Sequence, residues 1–140
     1  TRTPVAFAER EKNGIKIKGF VDKDGVFIKE KYVLEKENLI FPIKIYGWEK
    51  DYKKLISLII KSYKGTDDLK SIKISSDGFI TLEEKFLQKI FFGFKNQEIK
   101  QKLNLIFDIK KQLKKQKLRN KIKSLDLSDL ANPKIKVFIP

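Results

Sequence analysis

Histidine and cysteine are both absent from this 140-residue chain. Their absence removes the usual general base, the usual zinc ligands, disulfides and most nucleophile–base pairs. Carboxylates remain. Asp67-Asp68 and Glu83-Glu84 are adjacent pairs, but each falls where the flanking residues predict a turn, so both read as solvated turn residues. Asp22-Lys23-Asp24-Gly25 has the opening of a calcium loop. Such a loop closes on a glutamate, whereas position 33 is Val33, so a hairpin turn is the expectation here. No glycine-rich phosphate loop is present. This inventory nominates no catalytic residue, no metal ligand and no cofactor.

Charge is the next candidate for function. The formal net charge is +14, from 32 Lys+Arg against 18 Asp+Glu. Such a balance suggests attraction to nucleic acid or to anionic lipid. Nucleic-acid sites favour arginine and clustered charge, yet arginine occurs only at Arg2, Arg10 and Arg119. The lysines are spread among Ile, Leu and Phe, as in chains of biased genome composition or from hot habitats. We therefore read them, those of the helices included, as solubilising charge, and expect no nucleic-acid partner. No run of about 18 apolar residues exists to span a bilayer. The chain opens on Thr1 and contains no methionine, which suggests a fragment or a processed product.

The elements that would carry any site follow from periodicity. Residues 4 to 29 read as three short antiparallel strands, with turns at Asn13-Gly14 and Asp22-Lys23-Asp24-Gly25. Phe41 to Tyr46 is a further strand. Trp48, Tyr52, Leu55, Ile56, Ile59, Ile60 and Tyr63 recur at helical spacing, which predicts a helix over 48–64 with Gly65 after it. Leu69–Ser75 and Phe79–Leu82 alternate as strands. Glu83-Glu84-Lys85 closes a hairpin into Phe86–Phe92, a run apolar on both faces and so central in the sheet. Asn96 is placed to cap a second helix, about 96–117. The order predicts a single α+β domain over residues 1–140. It is a largely antiparallel sheet with two helices, about 48–64 and 96–117, packed on one face, and a C-terminal strand at an edge.

That last strand is where binding is expected. Lys121–Leu127 reads as one strand and Pro133–Ile139 as its extension or a second one. In the latter, Ile135, Val137 and Ile139 fall on one face and Lys134, Lys136 and Phe138 on the other, the alternation of a half-buried strand. Nothing follows it in this sequence to pair with its outer side, and an open edge accepts a strand from another protein. The expected contact residues are Leu127, Ser128, Leu130, Lys134, Ile135, Lys136, Val137 and Phe138.

Two resemblances bear on this. Gly19-Phe20-Val21-Asp22-Lys23-Asp24-Gly25 is similar to the acidic motif of LAGLIDADG homing endonucleases, which ends a helix and holds a metal at DNA; it implies the alternative of a basic nucleic-acid-binding domain. Over nearly its whole length, the chain resembles the bacterial cell-division family FtsQ/DivIB. Arg2-Thr3-Pro4-Val5-Ala6 is similar to the family's R-x-P-V-A junction. Phe20-Val21-Asp22-Lys23-Asp24-Gly25-Val26-Phe27 is similar to its aromatic-V-D-x-x-G hairpin. Ile90-Phe91-Phe92-Gly93, then Lys102-Leu103, resembles its strand-Gly and K-L helix, and Leu125-Asp126-Leu127 resembles its I-D-L-R. Ser128 stands where the family usually has arginine. The resemblance implies the β domain of a divisome scaffold without known catalytic activity, binding FtsB-like and FtsL-like partners, the former by strand addition at the last strand. It further implies a parent protein carrying a POTRA domain and a transmembrane anchor upstream of this chain. The domain would then lie at the extracytoplasmic face of the cytoplasmic membrane, in the periplasm where an outer membrane is present.

Overall fold

The computed structural model describes residues 3–32, 41–116 and 122–138. Strand β1 (Pro4–Lys12) turns through Asn13-Gly14 into the antiparallel β2 (Ile15–Asp22). Asn13 and Gly14 have φ of 54° and 78°, the left-handed pair that a tight hairpin turn requires and that Asn-Gly tolerates best. β3 (Phe27–Lys29) pairs with β2, and β4 (Lys44–Tyr46) lies parallel to β1. Then come α1 (Lys53–Ser62), β5 (Leu69–Ile74), β6 (Ile80–Glu84), β7 (Gln88–Gly93), α2 (Ile99–Lys115), β8 (Ile122–Asp126) and β9 (Lys134–Val137). Among the described residues one sheet holds nine strands in the order β3-β2-β1-β4-β5-β6-β7-β8-β9.

The α+β expectation is met. Five of the strand pairings are antiparallel, while β1–β4, β4–β5 and β7–β8 are parallel. Parallel neighbours need a crossover, and the two helices are crossovers of this kind: α1 joins β4 to β5, and α2 joins β7 to β8. Both crossovers step the same way along the sheet from strands that run the same way. With one handedness they must land on the same face, and residues of both helices share a single apolar core with that face.

Several boundaries differ from the periodicity. The first helix begins at Lys53, after a 3-10 turn at Lys50–Tyr52, and not at 48. The backbone N–H groups of Gly47 and Trp48 both donate to the Glu9 carbonyl, which keeps that stretch extended against β1. α2 starts at Ile99, not 96, because the Asn96 side-chain oxygen accepts the Glu98 N–H (2.8 Å) in a turn just ahead of the helix. Its expected end at 117 lies outside the described residues. The Glu83–Lys85 hairpin is displaced: β6 runs on through Glu84, and Lys85 to Leu87 make the turn.

Candidate functional site at the sheet edge

β9 is the last strand of the sheet. It pairs antiparallel with β8, Asp126 opposite Lys134, Leu125 opposite Ile135 and Ser124 opposite Lys136. Among the described residues no strand pairs with its outer side. The other edge strand, β3, is three residues long. Period-two alternation predicted one buried face for β9, and here the structure differs: all four residues are exposed. Ile135, at 43% exposure, and Val137, at 47%, point to the helix side of the sheet but lie beyond any helix. The reason is topological. The crossover α2 ends at β8, so the helix layer stops one strand short.

The expected contact residues divide. Lys134, Ile135, Lys136 and Val137 form β9, and Phe138, 56% exposed, follows it. Ser128 and the half-buried Leu130 lie in the β8–β9 connection. Leu127 does not belong with them. Its side chain is fully buried in the core and its N–H donates to the Phe91 carbonyl (2.8 Å). Ser128 folds back onto Asp126, donating from its N–H (2.9 Å) and its hydroxyl (2.6 Å) to Oδ1. These two bonds, with Lys134 and Lys136 nearby, hold the Asp126 carboxyl below the usual carboxylate range.

Motifs far apart in sequence meet at this end of the sheet. The buried Lys102 Nζ donates to the Phe92 carbonyl (2.8 Å) at the end of β7, and burial pushes its pKa down. A side chain on Gly93, at φ 94°, would press on Ser128 and on that ammonium. So Phe92-Gly93, Lys102-Leu103 and Asp126-Leu127-Ser128 make one junction. At the other end of the sheet, Pro4 pairs with Asp22. The Asp22-to-Gly25 turn closes on itself, Asp22 Oδ1 accepting from the Asp24 and Val26 N–H groups (2.9 and 3.0 Å). Gly25 packs on the first turn of α1, and its carbonyl accepts the indole N–H of the buried Trp48 (2.8 Å). Asp22 thus ends a strand, not the helix of an endonuclease motif.

Titratable side chains also gather in a place that the sequence reading missed. Glu84 is buried, not a solvated turn residue. Its Oε2 accepts the Tyr63 hydroxyl (2.5 Å) and Lys110 Nζ (3.2 Å), and its Oε1 accepts the Leu87 N–H (3.0 Å). Lys110, also buried, reaches the half-buried Asp68 at 2.9 Å. The helix lysines are therefore not all solubilising. Lys110 lies four residues after Ile106 and three before Leu113, and Lys102 four before Ile106, all inside the apolar stripe of α2. That phase was the available signal. Both oxygens of Glu84 accept hydrogen bonds, from Tyr63 just after α1, from Lys110 of α2 and from Leu87 in its own strand's turn, so the cluster ties the helices to the sheet. No protein-family model and no curated protein matches the chain.

Proposed function

We propose that this chain is a non-enzymatic scaffold domain of the FtsQ/DivIB kind that binds its partners by accepting a strand on β9. The observation that carries the reading is the outer side of β9, unpaired among the described residues and flanked by exposed Ile135, Val137 and Phe138. Backbone N–H and C=O groups provide the attachment and alternate side chains the selectivity. Exposed lysines at 134 and 136 discourage self-pairing of the edge. The convergence of Phe92-Gly93, Lys102 and Asp126-Leu127-Ser128 supports the family reading, since residues scattered in sequence then share one packing role. On this reading the partners are FtsB-like and FtsL-like division proteins at the extracytoplasmic face of the cytoplasmic membrane, the parent protein being anchored by an upstream helix. The nucleic-acid alternative would need its acidic motif at a helix end, where Asp22 does not lie.

The test is Lys136→Pro, which breaks the regular ladder geometry of β9. Titration with a peptide from an FtsB-like protein of the same genome should show affinity falling at least about tenfold, the equivalent of one or two ladder bonds. The circular dichroism spectrum and melting temperature should be retained, because β9 contributes no buried side chain. Unchanged affinity would refute strand addition at this edge.

A further inference from the structure

The helices cover one face of the sheet. On the other face Phe41 packs against Phe7 and Phe20 of β1 and β2, while from β4 to β9 no helix lies over it among the described residues. Across it the register aligns one row at right angles to the strands: Lys44, Ser71, Glu83, Lys89, Ser124 and Lys136, from β4 to β9. At about 4.8 Å per strand the row spans roughly 24 Å. Two shallow cavities lie along it. One of about 340 Å³ is bordered by Lys44, Lys70, Ser71 and Lys73. The other, of about 380 Å³, is bordered by Lys89, Phe91, Lys123 and Lys136 and reaches β9. Glu83 borders both and is the one acid in either lining among the described residues. It is already paired with Lys73 at 2.7 Å, which holds its carboxyl below the usual range. Among the described residues Lys44, Lys70, Lys89 and Lys123 make no ion pair. Ser71 is more than nine-tenths buried at the head of the row, and its hydroxyl has no hydrogen-bond partner there.

We infer that this row is the track of an acidic, extended peptide segment that continues from a strand added at β9. The inference rests on the strand-addition reading and adds a second contact surface to it. The partner's chain turns at the edge, crosses β9 by Lys136 and sets carboxylates against Lys89 and Lys123, then against Lys44 and Lys70, which flank Ser71. Charge favours an acidic occupant over a neutral one. The row holds no arginine, and the glutamate at its middle disfavours a continuous chain of phosphates, so peptide is favoured over nucleic acid.

Three synthetic peptides separate the possibilities in an NMR titration. The first has a strand of alternating valine and threonine followed by a run of glutamates. The second carries glutamine for every glutamate, and the third is the first with alternate strand nitrogens methylated so that it cannot join a ladder. We expect the glutamate peptide to shift the amides of Ser71, Lys89 and Ser124, and to bind about tenfold more tightly than the glutamine peptide at low salt. Lys89→Gln with Lys123→Gln, both exposed residues, should remove that advantage. Equal affinity of the glutamate and glutamine peptides overturns the track while leaving the edge intact. A methylated peptide that binds as well as the first overturns the edge reading instead. Tighter binding of an oligothymidylate than of the glutamate peptide, lost in the same double variant, overturns the peptide assignment in favour of nucleic acid.

Discussion

Replacing Lys110 with methionine tests whether the buried ionic cluster holds the helices to the sheet. Methionine keeps most of the aliphatic volume, so the cavity left is small, and the loss is the ammonium. That group bridges Asp68 (2.9 Å) and Glu84 (3.2 Å) from a side chain only 5% exposed. Glu84 would keep the Tyr63 hydroxyl and the Leu87 N–H but lose its counter-charge while fully enclosed. Removing one member of a buried pair costs about 3–5 kcal/mol, most of it from the stranded charge. With an unfolding entropy of about 2.1 cal/mol/K per residue, a chain of this length loses roughly 10–17 °C in melting temperature. Urea and thermal unfolding at neutral pH measure both quantities. The decisive control is Lys110→Met combined with Glu84→Gln, which removes the charge but leaves an acceptor for Tyr63. It should recover most of the loss, to within about 1.5 kcal/mol of the parent. A single variant that loses less than about 1 kcal/mol, or a double variant no better than the single, would refute the stranded-charge argument.

Two further perturbations follow from the same structure. Tyr63→Phe removes a donor to the Glu84 carboxylate and should cost about 1.5–3 kcal/mol at neutral pH. Burial first, then the charge and hydrogen bond of Glu84, hold the Tyr63 hydroxyl above its ordinary pKa of 10.0. Because the folded-state pKa is the raised one, the phenol's contribution is complete below about pH 10 and is lost as pH climbs beyond it. Urea midpoints should therefore fall more steeply above pH 10 in the parent than in Tyr63→Phe, and parallel curves would contradict this. Gly25→Ala should cost well over the roughly 1–2 kcal/mol of a left-handed alanine, because its Cβ would run into the Lys53 carbonyl of α1. Gly14→Ala, at nearly the same φ but with open space around it, should cost only the conformational part, and equal losses in urea unfolding would sink the packing argument.

Period and punctuation made most of the architecture legible. Asn13-Gly14 placed the first hairpin, and the apolar stripes of α1 and α2 placed the helices. What the sequence could not convey was the vertical position of elements against one another. The start of α1 is set by two hydrogen bonds from Gly47 and Trp48 to Glu9, far away in the sequence, and no local signal marks them. Glu84 looked like half of a solvated turn because it stands between the charged residues Glu83 and Lys85; its burial depends on Tyr63, just after α1, and Lys110 of α2. At the edge, alternation gave the right faces for Ile135 and Lys136 but the wrong burial. Periodicity reports which side a residue takes, not whether anything lies on that side.

That last distinction links the fold to its proposed use. Each helix is a crossover between parallel neighbours, so the helix layer can extend no further than the strand its final crossover reaches. Here that strand is β8. A strand appended by a loop without a helix then lies outside the covered region with an apolar side it cannot bury by itself. The buried core is complete without it: Ile122, Leu125 and Leu127 close the sheet beneath α2, and β9 adds only exposed residues. Fold stability and edge availability are thus carried by different residues. Substitutions on the exposed side of β9 can tune a partner without unfolding the domain, and the buried clusters can be altered without changing what the edge presents. A sheet whose stability needed its last strand would lack that freedom, because disturbing the edge would also disturb its core.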